Sequence, residues 1–182
     1  MRKFTLSIAL ACSGLLASAA PAGGNPMVGG AAMYPTKNIV ENAVNSKDHT
    51  TLVAAVKAAG LVDTLSSKGP FTVFAPTNAA FAKLPAGTVE TLVKPENKAM
   101  LTKILTYHVV PGRYTAGQIA AMAAKHGGTA TLKTVEGENL RFMKNGSSWW
   151  VIDAKGGKSR ITIPNVMQSN GVIHVVDTVL MP

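Results

Sequence analysis

The chain has 182 residues, of which 47% are hydrophobic and 15% charged, with a formal net charge of +9. That composition excludes intrinsic disorder, and the length suits one domain with a sizeable core. The excess of Lys and Arg favours anionic partners.

Arg2 and Lys3 precede an uncharged apolar run from Phe4 to Leu16, closed by Ala17-Ser18-Ala19. This predicts a secretory signal peptide over 1–19, cleaved after Ala19, and an exported protein that is periplasmic, cell-surface or secreted. The only cysteine, Cys12, lies inside that segment, and Ala9 three places earlier argues against a lipidated cysteine. The rest of the chain then has no thiol for a disulfide or a nucleophile. Export argues against nucleic acid as a partner; a cell-surface protein, an anionic polysaccharide or matrix component, or a membrane surface fits that compartment.

Residues 20–37 are rich in Gly and Pro, and the stretch predicts a flexible spacer. Next comes a helix with Asp48 as its cap, an apolar stripe of Leu52, Val53, Val56 and Ala59, and Gly60 as its left-handed terminator. "LVDTLSSKGP" adds a helical turn. In "FTVFAPTNAAF", residues 71–81, a period-2 strand meets Pro76, and Thr77 and Asn78 offer cap oxygens to a following helix. "TVETLV" and "NKAMLTKILTYH" read as helices, the latter with Leu101, Ile104, Leu105 and His108 on one face. Thr115 and Gln118 form a capping box before "IAAMAAKHGG". From Thr129 onward five strand-like stretches follow one another, separated by Gly137, Asn145-Gly146, Gly156-Gly157 and Asn170-Gly171. Asn-Gly and Gly-Gly steps are hairpin signals, so this half should be mainly antiparallel and the whole α+β.

Three segments carry a family resemblance. "GPFTVFAPTNAAFAKLP", "LTKILTYHVVPGRY" and "SNGVIHVVDTVLMP" resemble, in order and approximate spacing, the hallmark segments of fasciclin (FAS1) domains. The resemblance spans residues 38–182 and implies a single FAS1-type β-wedge of mainly antiparallel strands with helices packed around it. It also implies a non-catalytic binding protein of cell adhesion or surface attachment. Some family members instead carry a small apolar ligand, a lipid or pigment, which is the alternative reading.

Tyr107-His108 matches the family's "YH" segment, implicated in integrin binding in animal relatives. On the residues alone, His108 ends an apolar stripe, where a hydrogen-bonded core histidine is the commoner outcome. Asn165-Val166 stands where a second adhesive segment has Asp-Ile. An amide lacks the charge needed to ligate an integrin-bound cation, which argues against an integrin partner. Both positions, with Trp149 and Trp150, remain partner-binding candidates.

The two tryptophans must point to opposite faces of a strand, so one should be core. The other would lie beside Arg141, Lys144 and Lys155, where it could stack on a sugar. Thr77, Asn78 and His174 read as structural. No nucleophile elbow, metal-spaced His set or Gly-rich phosphate loop is present, so no catalytic residue, cofactor or metal is expected. His174 and Asp177 fall on opposite faces of the last strand and cannot share a metal.

Overall fold

The computed structural model describes residues 24–182; the expected signal peptide and Cys12 lie outside the described residues. The first described elements are two short antiparallel strands, β1 (Met27–Val28) and β2 (Ala31–Ala32). Residues 24–37 therefore do not form the expected flexible spacer. Gly29 and Gly30 turn the chain back, and Val28 and Met33, 3% and 2% exposed, enter the core.

Helix α1 (Ile39–Ala43) opens with a capping box: Asn38 Oδ1 accepts from Glu41 N, and Glu41 Oε2 accepts from Asn38 N. A 3-10 turn, Lys47–His49, leads into α2 (Thr50–Ala59). Gly60, at φ 72°, ends α2 in the left-handed conformation expected of it. Asp48 does not cap α2. It sits in the 3-10 turn, and the N–H of Thr51 donates instead to Asn78 Oδ1, 3.1 Å away.

The chain continues with α3 (Val62–Ser66), β3 (Phe71–Pro76), α4 (Asn78–Ala82) and α5 (Thr88–Leu92). A 3-10 turn, Pro95–Asn97, precedes α6 (Lys98–Tyr107). The strand β4 (Val109–Pro111), absent from the sequence reading, follows directly, and then α7 (Ala116–Lys125) with its Thr115/Gln118 capping box. The last five elements are strands: β5 (Thr129–Lys133), β6 (Asn139–Asn145), β7 (Ser148–Ile152), β8 (Lys158–Gln168) and β9 (Gly171–Val176).

Seven strands form one sheet in the order β4-β3-β9-β8-β7-β6-β5. Every pairing is antiparallel except β3 with β9, which run parallel with Phe71 opposite Gly171 and Pro76 opposite Val176. A Cβ at Gly171 would stand 2.0 Å from the Phe71 carbonyl oxygen, so only glycine permits this approach. Beyond its paired ends the sheet curls until its edges meet, where Val135 N donates to Val109 O at 2.8 Å. This is the expected α+β wedge.

β3 and β9 form a wall between two apolar clusters. Val73, Ala75, Ile173 and Val175 face a cluster with α2, α4 and α6, through residues such as Leu52, Phe81 and Ile104. Phe74 and Val176 face the other, filled by Ile119 of α7 and by Leu132, Leu140, Phe142 and Val151 of β5–β7. Period-2 alternation thus sends each strand's side chains into two different cores, which is why both strands are apolar on both faces.

Candidate functional site

Tyr107 and His108 end α6 inside the protein, 0% and 2% exposed. The His108 ring makes a bond at each nitrogen. Nδ1 donates to the Ile104 carbonyl at 2.8 Å, and Nε2 accepts from Leu180 N at 3.0 Å. Those two partners fix a neutral tautomer, and burial lowers the pKa to about 4 despite the opposing Ile104 carbonyl. The Tyr107 hydroxyl oxygen accepts from Ala154 N at 2.8 Å and its proton points to the Asn139 carbonyl at 3.5 Å. Tyr107 and His108 thus tie α6 to the β7–β8 turn and to the chain after β9, and present no free polar atom.

Asn165 is exposed, and it is the only non-glycine among the described residues with a positive φ, 58°. It lies where β8 slips register between Ile163 and Val166, a β-bulge. Its Oδ1 accepts from Ala116 N, at the start of α7, at 2.7 Å. Its own N–H donates to His174 Nδ1 at 3.3 Å, while His174 Nε2 donates to the Tyr114 carbonyl at 2.8 Å. His174, neutral and with its pKa lowered by burial, stacks on Phe74 at 5.5 Å. Val166 is wholly buried. Asn165 and Val166 therefore carry a bulge, a helix cap and a core contact.

Thr77 caps α4, its Oγ1 accepting from Ala80 N at 3.2 Å. Asn78 reaches across to α2 instead. Besides accepting from Thr51, it donates from Nδ2 to the Lys47 carbonyl at 2.8 Å.

The tryptophans do face opposite ways, but neither is fully buried. Trp149 is half-buried against the cluster under α7. Trp150, also half-buried, stands on the outer face of the β5–β8 sheet, with Met143 of β6 opposite on one side and Arg160 of β8 on the other. The next register along that face sets Thr131, Arg141, Ile152 and Lys158 in a row, and Lys133 pairs with Asn139 beyond it. Of the three basic neighbours expected for this tryptophan, Arg141 shares its face. Lys144 pairs with Trp149 on the other face, and Lys155 lies in the β7–β8 turn. Lys158 and Arg160 take their places. Alternation in "KSRIT" carried that signal, since Ser159 and Ile161 point inward.

His49, not singled out from the sequence, lines a partly open apolar cavity of about 50 Å³ bounded by Val28, Leu52, Val56, Val73, Leu105 and Ile173. Its Nδ1 meets Ser46 Oγ at 2.9 Å, but its buried Nε2 has no hydrogen-bond partner. Burial lowers its pKa. The Ala75 carbonyl opposes that effect without reaching hydrogen-bond geometry, and Asp48 opposes it at longer range. A water needs roughly 10–15 Å³ of such space, so the cavity as it stands has room for small groups. No group of three His, Cys, Asp or Glu among the described residues could hold a metal ion. No helix among them is long and apolar enough to cross a membrane.

Residues 47–182 match the family model described as the Fasciclin domain. The chain is 52% identical to "Protein sll1483" of Synechocystis sp., over 86% of this chain and 79% of that one. It is 38% identical to "Immunogenic protein MPB70" of Mycobacterium bovis, over 77% of this chain and 66% of that one. The fold is similar to the FAS1 domain pair of the insect cell adhesion molecule Fasciclin I, with TM-score 0.71 at 19% identity, covering 80% of this chain and 51% of that one.

Proposed function

The chain belongs to the fasciclin domain family, and from that premise we propose that it is an exported, non-catalytic binding domain that attaches cells to one another or to a surface. One observation carries the reading: the exposed outer face of β5–β8, where Arg141, Lys158 and Arg160 neighbour the half-buried Trp150 and Lys133 lies farther along the same face. Paired cations around an aromatic ring form a contact surface with no chemistry of their own. Tyr107 and His108 support it from within rather than touching a partner.

Deleting the gene and measuring cell–cell and cell–surface attachment tests the reading. Attachment should fall and return with the wild-type gene; unchanged attachment would remove the proposal.

A second reading, the carrier of a small apolar ligand, is favoured by the cavity beside His49 and its unpaired Nε2. At about 50 Å³ it would take a lipid or pigment only if α1–α3 moved apart. Mass spectrometry of protein purified from its own cells decides it, since a carrier retains its cargo and an attachment domain comes out empty.

A further inference from the structure

Four cations share the outer face of β5–β8, and sheet geometry sets their spacing. Arg141 and Lys158 flank Ile152 two strands apart, about 10 Å, and Arg160 lies one register step along, about 7 Å from Lys158. Trp150 stands inside this frame, next to Arg160 in the pairing and one strand from Arg141's. Met143, 43% exposed, sits beside the ring and adds its thioether to the guanidinium stems. Three acidic groups lie near. Asp177 reaches Arg160 at 3.8 Å and is also approached by Lys83 at 4.0 Å. Asp153 is turned inward to Gly157 N and Met181 N, and Glu138 borders a shallow groove at one end of the face. The face therefore keeps a net positive charge.

We propose that this face binds an anionic polysaccharide, of sulfated or uronic sugars, with one sugar ring stacked on Trp150 and neighbouring anionic groups on Arg141, Lys158 and Arg160. The proposal rests on the attachment reading above and names its partner. A sugar's apolar face suits an indole, and guanidinium forks suit sulfate and carboxylate. A membrane is the poorer match, because Met143 and Trp150 lie on a sheet face among cations and no apolar helix face is offered for burial among headgroups. A single-stranded nucleic acid is also poorer, since such grooves stack successive bases and this one offers a single ring.

Both tryptophans of the chain lie in β7, and Trp150 stands on this face, so a fluorescence change on binding reports on it. The full-length protein is titrated with dextran sulfate, and in parallel with neutral dextran, anionic phospholipid vesicles and a thymidine oligonucleotide. Saturable binding to dextran sulfate is expected, weakening severalfold between 50 and 200 mM salt as charge contacts are screened. The double variant Arg141→Ala/Arg160→Ala, with unchanged circular dichroism, should lose at least tenfold in affinity. Lys94→Ala/Lys98→Ala removes the same charge from the exposed α5–α6 side and should lose less than twofold.

Absence of dextran sulfate binding, or equal losses in the two variants, overturns the proposal. Tighter binding to vesicles or to the oligonucleotide through the same arginines overturns it in favour of that class. If dextran sulfate fails to bind while gene deletion still abolishes attachment, the partner is wrong and the attachment reading stands. If dextran sulfate binds as expected but deletion leaves attachment intact, the reverse holds.

Discussion

His108 has one proton to give and one lone pair to offer, and the fold takes both. Because its pKa falls to about 4, the folded ring stays neutral where the unfolded ring, near 6.5, takes up a proton. Between those values the unfolded state binds more protons, so stability is complete above about pH 6.5 and declines as pH falls toward 4. The buried ring accounts for on the order of 3 kcal/mol of that decline, and His49 and His174 are shifted in the same direction. Urea midpoints should therefore drop between pH 6.5 and 4, and His108→Gln should flatten the drop; an equally steep decline in the variant would refute the neutral buried ring. Asn165 offers a second test. Asn165→Gly keeps the left-handed backbone and loses the bond to Ala116 N, whereas Asn165→Ala loses both. Alanine should cost about 1–2 kcal/mol more than glycine in thermal or urea unfolding. The sequence placed His108 on an apolar face correctly, but Leu180, its second partner, lies 72 positions away, beyond any local pattern.

Elements with local punctuation were legible, and those fixed from a distance were not. The capping box of α7, the glycine end of α2 and the turns between the last five strands all lie within a few residues of what they define. The N-terminus of α2 does not, because its donor at Thr51 is satisfied by Asn78, 27 residues on, and Asp48 was the plausible local substitute. Asn78→Ala leaves Thr51 N and the Lys47 carbonyl unpaired, a loss of about 1–3 kcal/mol for each group that stays buried. Thr77→Ala loses one exposed-end cap, about 1 kcal/mol. Asn78→Ala should thus melt at the lower temperature. The β1–β2 hairpin was hidden because it is only two residues a side, set in a stretch whose Gly and Pro read as spacer, while Val28 and Met33 carry its packing. Each buries about 1.5–3 kcal/mol of side chain, so a chain beginning at Asn38 should be less stable by about 3–6 kcal/mol in urea unfolding. A spacer would leave the midpoint unchanged.

At the scale of the molecule, two cores share one wall. Phe74 presses on Phe142 at 5.1 Å and on His174 at 5.5 Å, while its neighbours Val73 and Ala75 fill the other side. Damage to either core loosens the strands that line both. Phe74→Ala should cost about 3–5 kcal/mol, and its urea transition followed by tryptophan fluorescence should coincide with that followed by far-ultraviolet circular dichroism. Separate transitions would mean that the two cores are independent. The parallel pairing at the centre of that wall has a temporal side. Phe71 meets Gly171 across about a hundred residues of chain, so neither core can close before β9 is made, and the entropy of closing so long a loop must be met before the wall rewards it. On the ribosome the two cores stay open until the residues of β9 and the chain after it, Val179 and Leu180 included, have emerged, a long interval in which the nascent chain presents unfinished apolar surface rather than a closed domain.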